Sequence, residues 1–130
     1  MEERLGWRFR SLPLLEQALT HPSARADCGF DYNRLEYFGD SILKHTTEMQ
    51  VLAQHVTWPE AYLTVERDRI VRNSNLAKAA VAAGLDKYIL TKMFTGTKWW
   101  PTYTSELLAQ QVQTRLVSTK TLADVVEALI

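Results

Sequence analysis

From Asn33 to Val56 the apolar residues recur at a spacing that puts them together only on a helix. At about 100° per residue, Leu35, Phe38, Ile42, Met49, Ala53 and Val56 fall within roughly a quarter-turn sector, and Glu36 and Asp40 point almost the opposite way. The last segment repeats the arrangement: Leu122, Val125, Val126 and Leu129 share a face, with Asp124 and Glu127 across from it. Amphipathic helices of this kind turn the apolar stripe to a core and the polar stripe to solvent. Strand-type alternation occurs nowhere along the chain. These patterns predict an all-α fold, a helical bundle.

Punctuation residues set the expected boundaries. Ser11-Leu12-Pro13 offers a cap and a first-turn proline for a helix reaching about Thr20. His21-Pro22 ends it, because the residue before a proline is pushed out of the helical region. The long helix runs from about Arg34 to His55 and stops before Trp58-Pro59. One further helix reaches Arg72, and another runs from about Ser74 to Ala83, closed by Gly84 as C-terminal cap. A short helical turn is expected at Asp86–Leu90 and a loop from Thr91 to Tyr103, where Gly96 and Pro101 break regular structure.

The acids carry the chemical question. Glu36 and Asp40 are spaced i, i+4, and Asp124 and Glu127 i, i+3, the separations that make helical neighbours. Either pair alone reads equally as a solvated helix face. If the two pairs converge, four carboxylates form a site for hard divalent cations. Gly39, inside the long helix, costs about 1 kcal/mol against alanine, which points to a close helix contact or backbone approach.

Composition narrows the field. A chain of 130 residues with 46% apolar content is one domain with enough apolar matter for a core. No apolar run approaches the ~20 residues needed to cross a bilayer, and the charged start at Glu2-Glu3-Arg4 is no secretory signal. Cys28 is the single cysteine, so an internal disulfide is ruled out. Formal charge is zero, from 15 basic and 15 acidic residues, whereas nucleic-acid affinity usually rests on neutralising phosphates. From Glu66 to Lys78 there is a local positive surplus: Arg67, Arg69, Arg72 and Lys78 against Glu66 and Asp68. Ion pairs along a helix face and nucleic-acid contacts are both open readings there. Any nucleic-acid affinity of so neutral a chain is expected to draw on other parts of a larger protein.

Four blocks resemble the ribonuclease III family, in the family's order and over most of the chain: Leu15-Glu16-Gln17-Ala18-Leu19-Thr20-His21-Pro22-Ser23-Ala24, then Asn33-Arg34-Leu35-Glu36-Tyr37-Phe38-Gly39-Asp40-Ser41-Ile42-Leu43, then Ile70-Val71-Arg72-Asn73-Ser74-Asn75-Leu76-Ala77, and finally Lys120-Thr121-Leu122-Ala123-Asp124-Val125-Val126-Glu127-Ala128-Leu129-Ile130. The wording Gly39–Lys44, the run Lys120–Glu127 and the longer segment before it, with Lys98-Trp99-Trp100-Pro101, are most similar to the first ribonuclease III domain of Dicer-like proteins.

The resemblance implies a metal-dependent endoribonuclease domain that cleaves double-stranded RNA, in a Dicer-like protein making small silencing RNAs. It implies that Glu36, Asp40, Asp124 and Glu127 are catalytic and bind metal, Mg²⁺ or Mn²⁺ and two ions per site. Glu36 and Glu127 would bind most directly, with Asp40 and Asp124 completing the shell. In the absence of metal such acids repel, so at least one carboxyl should be harder to ionise. Arg72, Asn75 and Lys120 are the RNA-contact candidates; Asn75 serves equally as a helix cap, and Lys120 as a counter-charge for the cluster. Arg34 is expected to pair with an acid beside the site, His21 to be structural, and Trp99 and Trp100 to pack.

The implied partner is a second ribonuclease III domain, intramolecular or in a homodimer, met through Leu35, Tyr37, Phe38 and neighbours. No membrane association is expected, and the setting is intracellular, cytoplasmic or nuclear. Residues 1–130 read as one such domain with further C-terminal helices beyond Ile130, because the apolar pattern stops there without a breaker. One departure stands out: many family members carry Glu immediately before Arg-Leu-Glu, and here that position is Asn33. Two other functions fit the same residues less fully. One is a catalytically silent ribonuclease III-like module for dimerisation or RNA scaffolding. The other is a helical metal phosphohydrolase acting on a small molecule, which the lack of His in the motifs disfavours.

Overall fold

The computed structural model describes residues 6–24, 29–91 and 117–130. Five α-helices lie within them: α1 Leu12–Ala18, α2 Asn33–Gln54, α3 Glu60–Ile70, α4 Asn73–Ala82 and α5 Thr119–Leu129, with 3-10 turns at Pro22–Ala24 and Leu85–Lys87. Among the described residues the only extended pairing is a single parallel bridge between Thr20 and Leu90. The chain is all-α. Cys28, most of the loop expected from Thr91 to Tyr103, and the Lys98–Pro101 run fall outside the described residues.

The helices start and stop where local chemistry supplies partners. The Ser11 hydroxyl accepts from the Leu14 N–H at the head of α1, with Pro13 in the first turn. That helix closes at Ala18, short of Thr20, because Leu19, Thr20 and His21 turn their backbone toward Leu90: the Leu90 N–H donates to Leu19 at 2.8 Å and the His21 N–H to Leu90 at 2.9 Å. At the head of α2 the Asp31 carboxylate accepts from the Asn33 N–H at 2.9 Å. Gly84 follows α4 with φ +69°, the left-handed conformation that glycine adopts without a Cβ clash. Ser118 caps α5, its hydroxyl accepting from the Thr121 N–H at 3.0 Å.

Helix α5 is the centre of the bundle, packed against α4 on one side and α2 on the other. On the α4 side lies the main apolar core, where Leu122 and Val125 meet Ala77, Ala80, Leu85, Ile89, Leu19 and Tyr32. Ile89 and Val125 are fully buried, each contributing about 1.5–3 kcal/mol relative to exposure. Helix α3 buries no residue and rests mainly on α2.

Much of the apolar stripe expected to bury α2 faces outward instead, with Leu35 and Ile42 half-buried. Phe38 is 65% exposed, Met49 57% and Val56 84%. What α2 buries is Gly39, Thr47 and Val51, residues on the acid-bearing side, because that is the side α5 covers.

Candidate metal centre

Gly39 sets the geometry. A Cβ built on it would stand 1.7 Å from the carbonyl oxygen of Glu127, so α2 and α5 cross main chain against main chain. No other residue type fits there without the helices separating. The crossing places Glu36, one turn before Gly39, beside the acids of α5. Ligand oxygens of Glu36, Asp124 and Glu127 lie within 4.8 Å of one another. Asp124 and Glu127 are buried, at 6% and 7% exposure, and Glu36 is half-buried.

Asp40 stands slightly apart from that trio. It is near enough to raise the Glu127 carboxyl, but its own carboxylate accepts from Lys44 at 2.7 Å, an i, i+4 pair on α2. The bond holds the Lys44 ammonium above its ordinary value.

Asp124 is held by two donors. The Lys120 ammonium reaches both of its oxygens, at 2.9 and 2.8 Å, and the buried Tyr32 hydroxyl donates to Oδ2 at 3.1 Å. Hydrogen bonding to Asp124 raises Lys120. Burial, and then the Asp124 charge, push the Tyr32 phenol well above the tyrosine range.

Among the described residues no such donor reaches Glu127. Burial, and then the charges of Asp40, Glu36 and Asp124, push its carboxyl up to about 7, with Lys44 pulling the other way. Two carboxylates about 5 Å apart repel by roughly 3 kcal/mol at an effective dielectric of about 20. The trio is therefore short of positive charge. Its donors are all carboxylate oxygens, with no His or Cys in the group, which suits hard divalent cations rather than zinc or copper. The residues present fit such an ion.

The remaining candidates are distributed differently. Arg72 is exposed at the head of α4. Asn75 turns its amide to the Arg69 carbonyl at the end of α3, at 2.6 Å, and so links the two helices. Of the basic run, Arg67 pairs with Glu48 and Asp68, and Arg69 with Glu66, the ion-pair reading of that segment. Arg34 is exposed and forms no ion pair among the described residues, contrary to the pairing expected of it. His21 takes a structural place, its Nδ1 bonded to Ser23 and its ring edge-on to Tyr32 at 5.6 Å.

Residues 33–130 match the family model of the ribonuclease III domain. The chain belongs to the ribonuclease III family. Among curated proteins, this ribonuclease III domain is 49% identical over 122 residues to Dicer-like protein 2-1 of Aspergillus niger. It is 48% identical over 125 residues to Dicer-like protein 2 of Coccidioides immitis, and 51% identical over 122 residues to that of Aspergillus fumigatus. Each match covers 94% of the chain but 9% of the relative, so the chain spans about a tenth of their length. Among solved structures, the nuclease domain of ribonuclease III from Campylobacter jejuni superposes with a TM-score of 0.74 at 23% identity, covering 98% of this chain and 78% of that one. That likeness supports the helical fold of the domain.

Two contributors went unseen in the sequence. Lys44 was legible as an i, i+4 partner of Asp40. Tyr32 was not, because its bond to Asp124 spans 92 residues and a tyrosine before a helix carries no local signal of a distant acceptor.

Proposed function

We propose that this domain is a divalent-metal-dependent endoribonuclease that hydrolyses the phosphodiesters of double-stranded RNA, as part of a Dicer-like protein producing small silencing RNAs. The observation that carries the reading is the Glu36–Asp124–Glu127 trio, gathered within 4.8 Å with one cation, Lys120, paired to it. Glu36 and Glu127 are the direct metal ligands, Asp124 a third, and Asp40 joins from its bond with Lys44. Two Mg²⁺ or Mn²⁺ ions, when bound, supply an activated water and neutralise charge developing on the phosphate oxygens.

The protein's own residues prepare that chemistry. Gly39 holds α2 against α5 so that acids from both helices face one point. Burial keeps bulk water away from Asp124 and Glu127 and strengthens their fields. Lys120, 72% exposed and tied to Asp124 at its inner end, stands at the rim where a phosphate would approach, and exposed Arg72 is a second RNA contact. Metal uptake would displace the proton that Glu127 retains near neutral pH, coupling binding to proton release.

The outward apolar face of α2 is the partner surface. Tyr37 and Phe38 are 77% and 65% exposed, and Phe38 borders an apolar groove with Phe9, Leu14, Leu35 and Leu129. A second ribonuclease III domain, in the same protein or in another copy, covers it. The Campylobacter jejuni nuclease domain likewise has a region involved in dimer formation.

Cleavage of end-labelled double-stranded RNA tests the proposal, with this domain paired to a second ribonuclease III domain and Mg²⁺ or Mn²⁺ supplied. Metal-dependent cutting that is lost in both Glu36→Ala and Glu127→Ala is the expected result. Folding and pairing without cutting would assign the domain to scaffolding instead.

A further inference from the structure

Tyr32 occupies an unusual junction. It is 4% exposed and belongs to the apolar core beside Leu122 and Val125. Its N–H donates to the Thr20 carbonyl at 3.0 Å, anchoring it to the segment after α1. Its own carbonyl accepts from the Glu36 N–H at 2.8 Å, the first hydrogen bond of the turn that carries Glu36. Its hydroxyl donates to Asp124 Oδ2. One residue therefore touches two of the three clustered acids, one through main chain and one through side chain.

The chemistry of Asp124 makes that contact consequential. A buried aspartate turns about one soft torsion, the broad rotation of its carboxylate plane, and that rotation decides which oxygen faces the cluster. Lys120 also grips Asp124, but its side chain is 72% exposed and free to swing away, and it binds both oxygens alike. Tyr32 is walled in by core side chains and selects Oδ2 alone.

We infer that Tyr32 is a positioning residue of the metal centre, fixing the rotation of the Asp124 carboxylate and its register against Glu36. The inference rests on the metal-dependent reading above and adds to it a role for a core residue that carries no charge. Outer hydrogen-bond partners of metal ligands orient those ligands, and losing one typically costs about 10–100-fold in affinity. Tyr32→Phe removes the hydroxyl and keeps the ring.

The test is a calorimetric titration of the metal-free chain with Mn²⁺, with far-ultraviolet circular dichroism in chelator as the check on folding. Tyr32→Phe is expected to keep the wild-type helical spectrum and to bind Mn²⁺ about tenfold more weakly. In an Asp124→Asn background the same change is expected to cost no further affinity, since its acceptor has been altered already. Equal Mn²⁺ affinity in wild type and Tyr32→Phe overturns the role, as does an undiminished loss in the Asp124→Asn background. Should Tyr32→Phe fail to fold, the wild type decides by nuclear magnetic resonance: the Tyr32 ring signals must shift saturably with Mg²⁺, and static signals overturn the role. A wild type whose Mn²⁺ uptake is absent, or is unaffected by Glu127→Gln, overturns the metal-dependent reading and this role together. A wild type that binds normally beside an unchanged Tyr32→Phe overturns this role alone.

Discussion

Replacing Glu127 by glutamine should stabilise the metal-free domain, and only at the alkaline end of its range. In the folded chain the Glu127 carboxyl is raised from 4.5 to about 7 by burial and three neighbouring carboxylates. A raised acid keeps in the folded state a proton that the unfolded state has released, so stability falls as pH climbs. Below the unfolded value of 4.5 both states are protonated and the penalty is nil. It grows between 4.5 and about 7 and is complete above that. At about 1.4 kcal/mol per unit, the full penalty is at most about 3 kcal/mol. Glu127→Gln keeps the shape and removes the charge, so it should recover most of that amount. For a domain of this size about 3 kcal/mol corresponds to a melting temperature higher by about 10 °C. Thermal melts in chelator, followed by circular dichroism at about pH 5 and about pH 8, provide the assay. Near-identical midpoints at the acidic value and a large gain for Glu127→Gln at the alkaline one are expected. Added Mn²⁺ should then raise the wild type and leave the variant unmoved. A constant difference between the two proteins at both pH values would refute the reasoning, because it would place the effect in packing rather than in ionisation.

Gly39→Ala should destabilise by about 2 kcal/mol, since overpacking costs 1–3 kcal/mol and the helix-propensity gain of about 1 kcal/mol cannot relieve a Cβ set against main chain; chemical denaturation measures it, and Mn²⁺ titration should show the site lost. Lys120→Met should cost about 1 kcal/mol in chelator, because buried Asp124 loses its cation while solvent already screens the exposed ammonium; urea midpoints check this. Phe38→Ala should leave the isolated domain within about 1 kcal/mol of wild type, in keeping with its limited burial, while weakening association with a second ribonuclease III domain in sedimentation velocity.

Helix positions were largely legible because caps and breakers act locally. Ser11, Gly84 and the stop before Trp58-Pro59 mark boundaries from chemistry within a few residues of each. The orientation of α2 was not. Periodicity shows that a helix has two unlike faces, but it cannot say which face a neighbour covers when one side meets α5 and the other awaits a partner. Phe38, Met49 and Val56 pointed to a core and lie exposed. Gly39 was the better guide, since a glycine inside a long helix signals that something approaches its bare Cα. The paired spacings Asp40–Lys44 and Lys120–Asp124 were readable as helical neighbours. That Glu36 meets Asp124 and Glu127 required the resemblance, because no local rule joins residues so far apart in the chain.

The centre draws one half from α2 and the other from α5, the last described helix, and the Tyr32–Asp124 bond closes a span of 92 residues. During synthesis this has a simple outcome. A growing chain that has completed α2 holds Glu36 and Asp40 without the acids that α5 contributes, and closing so long a span is a slow, entropically opposed step. The acid cluster is therefore complete only after the ribosome has passed Glu127 and α5 has docked.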